Sequence, residues 1–302
     1  MAPLLTRKKV LFIGTEAVAK GTPAASVSQL MVWDASINRT DAFVERKYSS
    51  KHLGHTEPGV FERMYPGTCS FKTELTCSSA DYLAALKIPL LGCGMAFNAK
   101  TFTPVSTVDT QNTCTIYLYE DGRKKTLYGA MGNYSMTVDS GRVILEFEFN
   151  GMYDNVAAAA LPSYTYNVAK GLSWRGSTFT FGTAAGLIST FNFSPNNVVV
   201  PRMNGGSIAH YMISDRDPTM TFDIEAELPG TYNIYNLMEA HTTQSLSLVM
   251  SDGTDKVTLS GSKVQLKDAN SGDREGILTD DVTAIFTATN GDDEFSLVAA
   301  AA

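Results

Sequence analysis

Apolar and polar residues alternate one for one along several stretches of this chain, and a period of two restricts those stretches to β-strands. From Leu145 the run Ile144-Leu-Glu-Phe-Glu-Phe149 sets Leu145, Phe147 and Phe149 on one face and Glu146 and Glu148 on the other. Thr219-Met-Thr-Phe-Asp-Ile-Glu-Ala226 sets Phe222 and Ile224 against Asp223 and Glu225. Thr115-Ile-Tyr-Leu-Tyr-Glu120 and Ser245-Leu-Ser-Leu-Val-Met250 read as further strands. Each is followed by Asp-Gly, a hairpin signal because both residues tolerate positive φ. The chain is therefore expected to be mainly β.

Two segments depart from this period. Ser78 to Leu86 opens with a capping serine and runs through helix formers, with Pro89 and Gly92 expected to stop it. Gly230 to Ala240 places Tyr232, Tyr235 and Met238 at helical spacing. The core faces around Phe147, Phe149, Phe222 and Ile224 are expected to lie beneath these helices.

The elements repeat in order. Thr68-Cys-Ser-Phe71 and Thr219-Met-Thr-Phe222 each lead through a strand to a helix, then an apolar strand. Next come Asp121-Gly122 or Asp252-Gly253, and a strand ending Leu127-Tyr-Gly129 or Leu259-Ser-Gly261. Upstream, Phe43 to Lys47 and Val199 to Met203 hold matching places. This predicts two related modules, residues 1–155 and 171–302, joined by a linker at 156–170. The linker reading extends back toward Asn150-Gly151.

With 31 acidic against 24 basic side chains, the formal charge is -7, opposite to that of a protein that grips DNA phosphates. The four-residue apolar run at the start is too short for a secretory signal, and no run reaches a membrane span. The expectation is a chain made and kept soluble in the cytoplasm. Four cysteines, Cys69, Cys77, Cys93 and Cys114, form no CxxC pair and read as buried thiols.

Catalytic signatures are missing: there is no G-x-S-x-G and no P-loop, and Gly92-Cys-Gly94 fails the dinucleotide fingerprint. His52 and His55 lack further metal ligands. Asp268 to Asp273 has part of a calcium-loop pattern with its glycine misplaced, and reads as a polar turn. Catalytic, cofactor-binding and metal residues are all expected to be none.

From Thr68 to Tyr153 the chain resembles phage tail tube proteins, also called major tail proteins. The resemblance rests on Cys69-Ser-Phe-Lys-Thr-Glu-Leu75, Gly92-Cys-Gly94 and Thr101-Phe-Thr-Pro-Val-Ser106. It continues through Thr115-Ile-Tyr-Leu-Tyr-Glu-Asp-Gly122, Leu127-Tyr-Gly-Ala-Met-Gly132 and Leu145-Glu-Phe-Glu-Phe-Asn-Gly-Met-Tyr153. The second half lacks Cys-Gly, Thr-Pro-Val-Ser and Gly-Ala-x-Gly.

The resemblance implies a small β-barrel or sandwich with a flanking helix, in two tail-tube modules. It also implies a non-enzymatic virion protein whose rings stack into a tube for genome ejection. Two modules per chain favour homotrimeric rings with pseudo-hexameric symmetry. A tape-measure protein, a tail terminator and baseplate or tip proteins are the implied partners, with DNA passing through the lumen without specific binding. The implied location is the virion tail, assembled in the host cytoplasm. By analogy, Trp33 to Pro66 is an extended hairpin or loop between rings.

Lys72 and Glu74, Glu146 and Glu148, and Asp223, Glu225 and Glu227 are the expected lumen-facing residues, since they alternate with core positions. The competing placement puts them on the outer surface. Competing functions are another ring-forming tube or baseplate protein, such as the tube of type VI secretion, or a soluble β-sandwich enzyme or carbohydrate-binding module.

Overall fold

The computed structural model describes residues 4–16, 19–40, 43–46, 48, 51, 53–54, 58–61, 65–77, 84–165 and 171–301. The first half holds β1 (Lys9–Thr15), β2 (Ser28–Leu30), β3 (Trp33–Arg39), β4 (Phe43–Val44), β5 (Val60–Phe61) and β6 (Pro66–Glu74). Then come α1 (Ala84–Gly92), β7 (Met95–Asn98), β8 (Thr101–Pro104), β9 (Cys114–Glu120), β10 (Arg123–Asp139) and β11 (Arg142–Ala158). The second half holds β12 (Thr178–Phe181), β13 (Ala184–Gly186), β14 (Ile188–Ser194), β15 (Val198–Asn204), β16 (Ser207–Asp215) and β17 (Thr219–Glu225). It ends with α2 (Ile234–Glu239), β18 (Thr243–Ser251), β19 (Asp255–Arg274), β20 (Ile277–Phe286) and β21 (Ser296–Ala301).

Antiparallel ladders link the first half in the order β2-β1-β9-β10-β11-β6-β3. The second half runs β13-β12-β18-β19-β20-β17-β14, the same order strand for strand. Register agrees as well. Phe71 stands opposite Phe147 and Phe147 opposite Tyr134, while Phe222 stands opposite Val282 and Val282 opposite Ala269. Each half sends a two-stranded excursion out of its sheet, β4–β5 and β15–β16, at the same point in the order.

The expected barrel is not closed. Among the described residues no ladder joins β2 to β3, although only Met31 and Val32 separate them in sequence. There the seam is bridged by a side chain, Lys9 Nζ donating to the Ala35 carbonyl at 3.3 Å.

Phe147 and Phe149 are buried as their alternation predicts, with Phe71 and Phe147 rings stacked at 5.2 Å. Phe149 lies against Gly92 of α1. Phe222 meets the rings of Phe179 and Phe181 of β12. One continuous core runs through both halves, and Phe193 is its crossing point, touching Tyr134 of the first half and Phe286 and Phe295 of the second. A smaller core of Met131, Met152, Ile208, Tyr211 and Ile213 seats β16 on β10 and β11.

Several local expectations are corrected. Pro89 lies inside α1 rather than ending it. Its missing N–H costs one bond near the end, where Cys93 and Gly94 amides still bond the Pro89 and Leu91 carbonyls. Ser78 to Leu83 lie outside the described residues. α2 is only six residues long because Asn233 caps it, its side chain accepting from the Asn236 amide at 3.0 Å. β11 pairs with β10 as far as Ala158, so residues 156–158 are strand. Residues 154–158 are exposed, so alternation could not mark them as strand.

Asp268 to Asp273 is not a turn but part of β19; the turn is Glu275-Gly276. Polar residues dominate there because one face is largely exposed and one edge has no ladder partner among the described residues. Trp33 to Pro66 is not all excursion, because Trp33–Arg39 pairs with β6 inside the sheet.

Turn chemistry is otherwise as read. Asp121-Gly122 closes a two-residue hairpin with φ of 33° and 102°. The second turn slips by one residue, with Asp252 bonding Asp255 around Gly253-Thr254. The Leu127-Tyr-Gly-Ala-Met-Gly132 run is a bulge. Gly129 there has φ of 57°, and its amide donates to buried Glu16 at 2.6 Å.

Candidate functional face

Because side chains alternate across a strand, the residues between core positions share the outer face of each sheet. On β6 and β11 the ladder sets Lys72 directly opposite Glu146, with Nζ 2.5 Å from Oε1. Glu74 is opposite Ile144 and pairs with Arg142, while Glu148 stands opposite Ser70 and is exposed. The Glu146 carboxylate, by hydrogen bond and charge, holds the Lys72 ammonium above the ordinary lysine range.

On β17 the equivalent row is Asp223 and Glu225, with Glu227 exposed just beyond the strand. Arg274 at the end of β19 reaches both, at 3.2 Å to Asp223 and 2.6 Å to Glu225. Asp223 also accepts from the Ser189 and Thr190 amides, fixing the start of β14. Asp281 stands directly opposite Asp223 on β20.

Six of the seven expected residues thus lie on the outer faces of the two matching sheets, Glu227 is exposed just past the end of β17, and five of the seven are in ion pairs. Among the described residues Glu148 and Glu227 have no ion-pair partner. Sequence reasoning missed Arg142, Arg274 and Asp281. Arg142 sits two residues before Ile144 and could have been found by extending the alternation. Arg274 and Asp281 could not, because only the β17–β20 pairing sets Asp281 opposite Asp223 and only the β19–β20 pairing then brings Arg274 near. The face is one of mixed charge with a net acidic balance.

Other charged clusters hold the fold. Buried Glu16 accepts from Thr113, Thr115 and the Gly21 and Gly129 amides. Glu120 lies among Lys9, Arg123 and Lys125. Arg216 binds Asp292 and Glu294 and donates to Ser106, tying β16 to the 289–294 loop. Among the described residues no group of histidine, cysteine and carboxylate side chains has metal-binding geometry. His52 and His55 lie outside the described residues. No helix of the described residues is long and apolar enough to cross a membrane.

A family profile described as "Phage tail tube protein" matches residues 6–288. Among curated proteins no match was found.

Proposed function

This chain belongs to the phage tail tube protein family and is a structural protein of the virion tail, and on that premise we propose that it assembles into rings that stack into the tube for genome ejection. The observation that carries the reading is the strand order met twice in one chain, β2-β1-β9-β10-β11-β6-β3 and β13-β12-β18-β19-β20-β17-β14. Two equivalent modules per chain make three chains sufficient for a sixfold ring. The first module spans 1–155 and the second 171–302, and both contribute to one core. In the ring the outer faces carrying Lys72, Glu74, Glu146, Glu148, Asp223, Glu225 and Glu227 line the lumen, and DNA passes without specific binding. Length is set by a tape-measure partner, and a terminator and tip proteins cap the ends; assembly takes place in the host cytoplasm. The reading has no catalytic step and no cofactor.

Cryo-electron microscopy of concentrated protein tests it. Stacked rings of three chains are expected; six whole chains per ring, or no rings at any concentration, would overturn it.

A further inference from the structure

The chain holds three Asn-Gly pairs, beginning at Asn150, Asn204 and Asn290, and the fold treats them differently. Asparagine before glycine can modify itself. The glycine nitrogen loses its proton and attacks the asparagine Cγ, ammonia leaves, and a five-membered succinimide remains. Water then opens that ring at either carbonyl, giving aspartate or isoaspartate. Glycine favours the attack because it has no Cβ to obstruct the nitrogen or restrict the backbone. A fold permits the reaction where the asparagine amide has no partner to give up, the glycine N–H has no acceptor, and the backbone can turn.

Asn150 lies inside β11 with a ladder on each side, opposite Met131 of β10 and Thr68 of β6. A Cβ placed on Gly151 would stand 2.7 Å from Leu127 and 2.8 Å from Ala130, so the pair cannot turn without opening the sheet. Asn290 is tied down by a carboxylate instead. Asp293 accepts from the Asn290 backbone amide at 3.1 Å and from its side-chain amide at 3.4 Å. The Gly291 amide bonds the same carboxylate, so the attacking nitrogen is held as well.

Asn204 meets all three conditions. It is exposed at the end of β15, paired with Ser207 across a two-residue turn. Among the described residues nothing bonds its side-chain amide, and nothing accepts from the Gly205 amide. Gly205 and Gly206 have φ of 57° and 83°, and no atom lies within 4 Å of a Cβ built on either. Exposed hairpin tips are also where backbone opens at least cost. The Ser207 hydroxyl donates to the Asn204 carbonyl at 2.8 Å. That carbonyl shares its peptide with the Gly205 nitrogen, so the bond draws electron density from the nitrogen and eases loss of its proton.

We propose that Asn204 is a self-modifying site, which in the folded protein takes up water, releases ammonia and becomes aspartate or isoaspartate while Asn150 and Asn290 stay amides. Each event adds one carboxylate to the tip of the β15–β16 excursion, beside exposed Met203. The isoaspartate form also inserts a methylene into the main chain, which a two-residue turn does not accommodate. Ile208, Tyr211 and Ile213 still seat β16 on β10 and β11, so the change stays at the tip. It runs one way, and the charge there therefore records the age of the protein.

The test ages the full chain in warm, mildly alkaline buffer, beside a sample kept in denaturant, and maps both by peptide mass spectrometry. The native chain should lose the amide at Asn204 alone and gain an acidic form on isoelectric focusing; the denatured chain should lose all three. Ser207→Ala should slow the native conversion, and Asp293→Ala should admit Asn290 to it. Asn204 left intact in the native chain while the denatured chain converts would overturn the proposal. So would Asn290 keeping pace with Asn204 in the native parent. An unchanged rate in Ser207→Ala would overturn the part given to the hydroxyl.

Discussion

Lys72 and Glu146 stand directly opposite each other on the β6–β11 ladder, their charged atoms 2.5 Å apart on the outer face of the sheet. An acid that alternation alone presents as a bare negative charge is thus neutralised by its cross-strand neighbour. The lysine's affinity for its proton is raised by that carboxylate. A group whose folded pKa is raised contributes stability below its unfolded pKa and loses it as pH rises through the folded value. Lys72→Met should therefore lower the melting temperature slightly at neutral pH, as an exposed pair allows. The difference from the parent should persist through the ordinary lysine pKa of about 10.4 and fade only as pH rises through the raised folded value. A difference that stays constant through that range would assign the loss to packing of the lysine stem.

Phe147 is enclosed by Phe71, Tyr134 and Phe149, with ring centres 5.2, 5.9 and 6.1 Å away. Phe147→Ala empties a site that cannot collapse without moving three other rings. Its cost should be about 3–5 kcal/mol, read from the denaturant midpoint of the monomer. An unchanged midpoint would show that the sheet face had been assigned backwards.

Glu16 joins the β10 bulge to β9 and to the loop before β2. Glu16→Ala would leave two threonine hydroxyls and the Gly21 and Gly129 amides without their acceptor in a buried place. A loss of about 2–4 kcal/mol is expected, more than for an average surface change. Hydrogen exchange at Gly129 should rise with it. A variant with parental stability and protection there would mean that water takes the carboxylate's place.

All four cysteines are buried, and none is in a disulfide. Burial pushes the thiols of Cys69, Cys93 and Cys114 well up, so little thiolate is available near neutral pH. A chromogenic disulfide reagent should find no reactive thiol in the native protein and four after denaturation. Rapid reaction of any one in native buffer would contradict the packing around α1 and β9.

How much of this was legible in the sequence follows from where alternation holds. Phe147, Phe149, Phe222 and Ile224 lie on strands covered on one face only, so period two survives and their burial could be read directly. β19 shows the opposite case. Its far end is largely exposed on one face and has no ladder partner on one edge among the described residues, so Asp268 to Asp273 has the polar pattern of a turn. Residues 154–158 of β11 failed for the same reason. The duplicated ladder order was visible only as a faint repeat, because matched positions keep their burial and not their identity: Tyr134 answers to Ala269, and Phe147 to Val282. Arg274 was out of reach, since its carboxylate partners lie on a strand that joins it only through β20.

Only the acids that have no cation beside them present an uncompensated negative charge on these faces. Replacing Glu146 by lysine would set two ammonium groups face to face across a ladder, which destabilises a sheet whatever the channel requires. Glu148 and Glu227 avoid that difficulty: both are exposed, and neither has an ion-pair partner among the described residues. If the outer faces line a channel, these carboxylates repel passing phosphates, and lysines there would hold them by counterion release. A phage carrying Glu148→Lys and Glu227→Lys should build tails of normal length and eject its genome more slowly. The delay should shrink as salt rises past about 0.1 M, where the screening length falls to about 10 Å. Slow ejection that ignores salt would point to a distorted bore. Normal ejection at low salt from complete mutant tails would put these carboxylates on the outside of the tube.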